Sequence, residues 1–104
     1  MMELRDRAGH PLTPVEWARL RTTRRNYYRI CEDRLFGVWI STVWIGIEDQ
    51  FFETMLRYPR PIGDHFVRYD TEVAARLGHC MAVAFVREQR AMRHRINEYK
   101  RKHR

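Results

Sequence analysis

The sequence predicts an α+β domain: a short N-terminal helix, a three- to four-stranded antiparallel sheet, and one long C-terminal helix that packs on the sheet and protrudes. Three observations predict it. Between residues 27 and 69, Val, Ile, Trp, Tyr, Phe and Thr crowd into short runs separated by breaker residues, the composition that suits a pleated surface. From Asp70 onward the apolar residues shift to a three- and four-residue spacing, which is helical periodicity. A chain of 104 residues, 44% hydrophobic, with five glycines and four prolines, makes one domain without repeats or low-complexity linkers. Its parts are a helical segment at 1–26, a sheet at 27–69 and a long helix at 70–104.

The first helix is announced by "LTPVEWARL". Thr13 can cap it, Pro14 suits the first helical position, and Glu16 favours the positive end of the helix dipole. Trp17 and Leu20 are one i,i+3 apolar pair, so the helix is short and ends near residues 21–23.

The strands are "YYRICEDRL", "FGVWISTVWIGI", "FFETMLRY" and, shorter, "HFVRY". The second is apolar on both faces, with Val38, Ile40 and Trp44 on one and Trp39, Val43 and Ile45 on the other. Such a strand is central, with a layer on each face or with one face used for association. Trp39 and Trp44 point to opposite sides, so one of them needs cover other than the long helix: a second copy through the sheet, or the N-terminal helix. The links "EDR" and "EDQ" suit antiparallel hairpins, and "PRPIGD" interrupts the pattern because each proline removes a backbone donor.

The last segment opens with a cap at Asp70 or Thr71 and with Glu72 in the first turn. Val73, Leu77, Met81, Ala84 and Phe85 form an apolar stripe by which the helix is expected to meet the sheet, and Met92, Ile96 and Tyr99 continue it. About 30 helical residues span roughly 45 Å, whereas four strands at ~4.8 Å spacing make a sheet under ~20 Å wide. The last turns must therefore overhang, bend or dock elsewhere. The seam Met92, Ile96, Tyr99 is expected to face the Trp17/Leu20 helix, a second copy of the chain, or another protein.

Charge is concentrated at that end. Residues 1–86 hold 12 basic and 11 acidic side chains; residues 87–104 hold 8 and 2. Arg87, Arg90, Arg93 and Arg101 fall opposite the Met92/Ile96/Tyr99 seam on a helical wheel. With Lys100 and Lys102 they can track phosphates and release counterions, and Arg can stack on bases or clamp phosphate with two hydrogen bonds. Arg21, Arg24 and Arg25, flanked by Arg19 and Arg29, can add a second patch. Against this stands the solvated helix end, since cations near a helix C-terminus favour the dipole. No helix-turn-helix, zinc-finger or RNA-binding-sheet signature points to base-specific reading.

Other chemistry is weakly signalled. His79, His65, Asp64, Glu53 and Cys80 match no metal-ligand or catalytic spacing. For His79, beside Gly78, the reading is helix–sheet packing with a hydrogen-bonded imidazole. Cys31 and Cys80 lack metal or redox spacing. No cofactor, metal or enzymatic activity is expected. The charged start of the chain lacks a signal-peptide pattern, and the longest apolar run, residues 36–47, is too short to span a bilayer. The expectation is a cytoplasmic protein with reduced thiols and no membrane partner.

Ser41-Thr42-Val43-Trp44-Ile45-Gly46, Phe52-Glu53-Thr54-Met55, and Arg68-Tyr69-Asp70-Thr71-Glu72 followed by Gly78-His79 resemble a family of small, mostly uncharacterised proteins of bacteriophages and bacteria, many actinobacterial. The resemblance covers about half the chain and leaves out the basic tail and the N-terminal helix. Relatives usually carry a longer Gly/Pro-rich loop where this chain has only "EDQ". The resemblance implies a phage-type accessory protein in a bacterial host cell, a class in which many members bind host or phage components. The expected function is binding, with the basic helix engaging nucleic acid or a host nucleoprotein such as a defence complex. The alternative is a protein-interaction or homodimer-forming module in which the charge only solubilises.

Overall fold

The computed structural model describes residues 2–23, 26–48 and 50–103. Its elements are α1 (Pro14–Thr23), β1 (Arg29–Leu35), β2 (Val38–Ile47), β3 (Gln50–Arg57), β4 (Asp64–Tyr69) and α2 (Glu72–Lys102). The four strands pair antiparallel in chain order, and α2 crosses one face of the sheet. The predicted α+β architecture is the one observed.

Local chemistry sets each boundary. At α1, Glu16 N–H donates to Thr13 Oγ1 and Thr13 N–H donates to Glu16 Oε1, a reciprocal capping box on a proline-led first turn. At α2 the cap is Thr71, whose Oγ1 accepts from Ala74 N–H. The β1–β2 connection corrects the expected hairpin: "EDR" lies inside β1, and the chain turns at Phe36–Gly37, where Leu35 pairs with Val38. Both turn residues have positive φ, 52° and 80°. That is the backbone of a two-residue hairpin whose twist matches the strands, and it usually takes Asn-Gly. Phe36 occupies a conformation its side chain disfavours.

β2 alternates buried and half-buried residues along its whole length. Val38, Ile40, Thr42 and Trp44 face α2; their cross-strand partners Leu56, Thr54 and Phe52 on β3 face the same way. Two apolar clusters result. One joins Val38, Ile40 and Leu56 to Val86 of α2. The other joins Trp44 and Phe52 to Ala75 of α2, with Trp17 and Leu20 of α1 packed against it. Between them lies one polar layer, Thr42, Thr54 and His79.

The N-terminal arm closes the Trp44 end. Trp44 Nε1 donates to Arg5 O at 2.9 Å, Arg5 N–H donates to Gly46 O, and Trp17 Nε1 donates to Ile45 O. Gly46, with φ 74°, has no room for a Cβ, which would overlap the Trp44 ring. Arg7 ties the arm to α2: its Nε and Nη2 donate to the two carboxylate oxygens of Glu72 at 2.6 and 2.8 Å.

Trp39, on the other face of the sheet, is covered neither by a second layer nor by α1. Its ring lies 5.4 Å from the guanidinium carbons of both Arg34 and Arg57, and its Nε1 donates to Glu32. The charged cross-strand neighbours cover this face themselves.

The face by which α2 meets the sheet also differs from expectation. Val73, Leu77, Met81 and Phe85 are between 55 and 80% exposed. The residues against the sheet are mostly small, Ala75, Gly78, Ala82, Val83 and Val86, with the larger His79 among them at the Thr42/Thr54 layer. The reason is volume. Trp44, Phe52, Ile40, Leu56 and Tyr69 fill the space above the strands, so close packing requires a helix face with little side chain. At Gly78 a Cβ would overlap the Tyr69 phenol.

Candidate nucleic-acid interface

The inward face of α2 changes character where the sheet ends. Ala75, His79, Ala82 and Val86 lie against the strands; Arg90, Arg93, Lys100 and Arg101 continue the same face at helical spacing. The helix does not bend back or end at Val86. It runs unbroken to Lys102, and the molecule measures 63 Å along its long axis and only 22 Å across. The roughly 16 residues beyond Val86 extend ~24 Å as helix. A face that was apolar under cover becomes cationic in the open.

The neutralisation of these charges is partial and local. Arg95 is 2.9 Å from Glu88, and Arg101 and Lys102 are each 3.7 Å from Glu98, all within α2. Among the described residues no carboxylate of the sheet or the arm pairs with the projecting turns, and Arg87, Arg93 and Lys100 have no ion-pair partner. The sheet's own carboxylates are used elsewhere: Asp64 holds Arg57, Glu53 holds Arg68 and Glu32 holds Arg29.

Arg90 makes a different contact. Its guanidinium lies 5.0 Å over the ring of Phe36, the strained turn residue, which is 57% exposed. The rim of the sheet thus presents an aromatic ring beside the root of the basic helix. Phe36 was not singled out from sequence. The signal was available, since a large aromatic before Gly between two alternating runs occupies a turn position that Asn or Asp normally takes.

Of the second patch, two members have partners within the fold. Arg21 turns inward, donating to Trp44 O at 2.9 Å and lying 5.4 Å from the Trp17 ring. It fixes α1 to the sheet rather than offering a surface charge. Arg29 faces Glu32, while Arg24 and Arg25 lie outside the described residues. The seam residues Met92, Ile96 and Tyr99 are exposed, and α1, which packs at the Trp44 end, does not reach them.

The residues weighed for metal or acid–base chemistry are dispersed. Asp64 and Glu53 are in the ion pairs above, His65 packs edge-on to Tyr58, and Cys80 is exposed on α2. His79 is the exception, because it sits in a chain of short contacts. Its Nε2 is 2.7 Å from Asp33 Oδ2, its Nδ1 is 2.7 Å from Thr42 Oγ1, and Thr42 Oγ1 is 2.5 Å from Thr54 Oγ1. The order carboxylate–imidazole–hydroxyl matches a nucleophile-activating relay. Here the hydroxyl is sealed: Thr42 and Thr54 are 0% exposed and His79 is 3% exposed. A carbonyl cannot approach Thr42 without the helix leaving the sheet. The arrangement leaves no buried side-chain polar atom unpaired among the described residues: the two imidazole nitrogens meet Asp33 and Thr42, and the Thr42 hydroxyl meets that of Thr54. It is the packing role read for His79 from the sequence.

Among the described residues no group of His, Cys, Asp and Glu is placed to hold a metal ion, and no helix is long and apolar enough to cross a membrane. No family model, curated protein or solved structure matches the chain.

Proposed function

We propose that the protein is a non-enzymatic binding factor whose projecting C-terminal helix engages the phosphate backbone of a nucleic acid, free or in a host nucleoprotein. The observation that carries this reading is the switch of the inward α2 face from Ala75, His79, Ala82 and Val86 to Arg90, Arg93, Lys100 and Arg101 beyond the sheet. Guanidinium and ammonium groups held in rows on a rigid helix neutralise phosphates without paying for the ordering of a flexible tail. Phe36 supports the same reading, because an exposed ring held in a disfavoured backbone conformation next to Arg90 can stack on a base. The sequence resemblance to phage-encoded accessory proteins agrees with it, since many members of that class act by binding host or phage components.

Fluorescence anisotropy with labelled single- and double-stranded DNA and RNA tests the proposal. Affinity is expected to fall with log[salt] at a slope of about 0.9 per duplex phosphate contacted. The triple reversal Arg87→Glu, Arg90→Glu, Arg93→Glu should weaken binding at least tenfold and flatten that slope. Phe36→Asn should raise thermal stability, by about 1 kcal/mol from relieved strain, while weakening binding to single strands. Absence of binding at low salt, or binding indifferent to both salt and charge reversal, would overturn it.

A further inference from the structure

The two edges of the sheet are not alike. β4 pairs with β3 alone, in unbroken register from Arg57–Asp64 to Phe52–Tyr69, whereas β1 pairs with β2 alone and carries a bulge between Arg29 and Cys31. An edge strand presents unpaired N–H and C=O groups, a template for another strand, and natural sheets blunt it with bulges, prolines and charges. An antiparallel strand pair related by a twofold axis centres on one residue, which then meets its own copy. In β1 the run Glu32-Asp33-Arg34 sets like charge against like at each such centre. β4 has neither bulge nor proline, and it is open on both faces: Phe66 is 54% and Val67 48% exposed.

Backbone direction fixes how a strand adds to β4. Tyr58 N–H donates to Gly63 O at 3.1 Å. Gly63 and, in alternation, His65, Val67 and Tyr69 therefore turn their N–H and C=O toward β3, and Asp64, Phe66 and Arg68 turn theirs to the open edge. Among the described residues no backbone group meets that edge. An extended peptide of another protein would satisfy the backbone equally; the side chains single out a second copy. Asp-x-Phe-x-Arg, residues 64–68, is its own charge complement when reversed. Centred on Phe66, antiparallel pairing sets Phe66 against Phe66 and each Asp64 against Arg68 of the second copy, and each of these pairs exchanges two N–H···O bonds. Asp64 already holds Arg57, and Arg68 already holds Glu53. Signs thus alternate across the seam: Arg57 and Asp64 of one copy, then Arg68 and Glu53 of the other. The neighbouring centres lack this match. Centring on His65 sets Asp64 against Phe66, and centring on Val67 sets Asp64 against Asp70.

From this edge we infer that the chain forms a twofold homodimer by antiparallel pairing of its β4 strands, with Phe66 on the axis. The two four-stranded sheets become one continuous sheet. The pairing uses both β4 edges, so the assembly closes at two copies. An axis normal to the sheet keeps both α2 helices on one face and sends their basic ends in opposite directions, leaving Arg90, Arg93 and Lys100 open on each.

Sedimentation equilibrium of the full chain, without nucleic acid, should give twice the 12.8 kDa chain mass. Phe66→Pro removes an N–H that the single chain leaves unpaired, so it should give one chain mass with unchanged circular dichroism. Asp64→Arg and Arg68→Asp each set like charges together at both ends of the seam, and each should raise the dimer dissociation constant about tenfold or more. Mixed in equal amounts, the two charge variants should pair with each other and restore the dimer, because every Arg–Asp match is then regained. A wild-type chain that stays monomeric at tens of micromolar overturns the inference. So does a dimer indifferent to Phe66→Pro and to both charge variants, or a mixture that fails to pair, since the contact would lie elsewhere. Open-ended assembly also overturns it, as β4 would then meet β1 of the next copy. Sedimentation reads none of the nucleic-acid binding tested above, so either reading can fail without the other.

Discussion

The two long faces of α2 are both apolar over the first four turns, yet one is buried and the other is open. The inner face is Ala75, Gly78, His79, Ala82 and Val86; the outer is Val73, Leu77, Met81 and Phe85. By hydrophobicity alone the outer face is the better core. It loses because the sheet already supplies the bulk: Trp44, Phe52, Ile40 and Leu56 leave a gap filled mostly by small residues, with His79 over the two threonines. Side-chain volume therefore decides which face packs, and the large outer residues stay exposed. Beyond the sheet the roles diverge further, since the inner face becomes cationic while the outer one mixes Met92, Ile96 and Tyr99 with the paired charges Glu88, Arg95 and Glu98.

Neighbouring residues on the two faces give the sharpest contrast. Val86 is 3% exposed and Phe85 is 55% exposed. Val86→Asp places an unpaired carboxylate among Val38, Ile40 and Leu56, and should cost about 4 kcal/mol or unfold the chain outright. Phe85→Asp, one residue away, should leave the monomer's stability within ~0.5 kcal/mol. Urea denaturation at sub-micromolar concentration, where self-association does not contribute, measures both. Equal losses would mean that α2 sits on the sheet by its larger residues after all.

The polar layer of the inner face comes next. His79→Ala strips one of two partners from Thr42 and opens a cavity between the two apolar clusters, with an expected loss of ~2–3 kcal/mol. Replacing the whole chain of contacts by Thr42→Val, Thr54→Val and His79→Leu should recover much of it, because no buried polar atom is then left unpaired. A triple variant less stable than His79→Ala would show that the layer stabilises beyond satisfying itself. The same denaturation curves answer this.

Strand content, the capping of both helices, the two-sided nature of β2 and the protrusion of α2 were all legible in the sequence. Each is local: periodicity, a Thr-Pro-x-Glu start, and helix length against sheet width. Which face of α2 is buried was not legible, because that is settled by what the strands place above the sheet, not by the helix's own spacing. Helical spacing picks out Val73, Leu77 and Met81, and nothing local says that Trp44 and Tyr69 exclude them. Gly78 and Ala75 were the available signals, small residues at core spacing in an otherwise bulky helix. Arg21 was misread for a related reason. A basic run such as "RLRTTRR" looks uniformly solvated until the indole rings of Trp17 and Trp44 and a free carbonyl at Trp44 give one of its members a buried role. The hairpin was displaced because Phe36 is an unusual occupant of a positive-φ position.

Charge makes the same distinction between the covered and the projecting parts of α2, with a smaller effect. Glu72, in the first turn, is gripped by both Arg7 nitrogens, and that hydrogen bonding holds its pKa below the ordinary glutamate value against the opposing effect of burial; Arg76 adds to the lowering. Arg7 is raised correspondingly, again chiefly through its hydrogen bonds to Glu72. A depressed folded-state pKa means that the unfolded chain takes up the proton more readily. The stabilisation is therefore fully present above ~4.3, the unfolded value, and disappears as pH falls through the lower folded value. Glu72→Gln should cost about 1 kcal/mol at pH 7, as for a half-buried, two-pronged Arg–carboxylate pair, and the gap from wild type should close on acidification below pH ~4. Glu98→Gln, on the projecting turns, should change nothing at either pH, because its pairing with Arg101 and Lys102 is long and exposed. If the two substitutions behaved alike, the charges beyond Val86 would be part of what holds the fold, and they would no longer be free for an anionic partner.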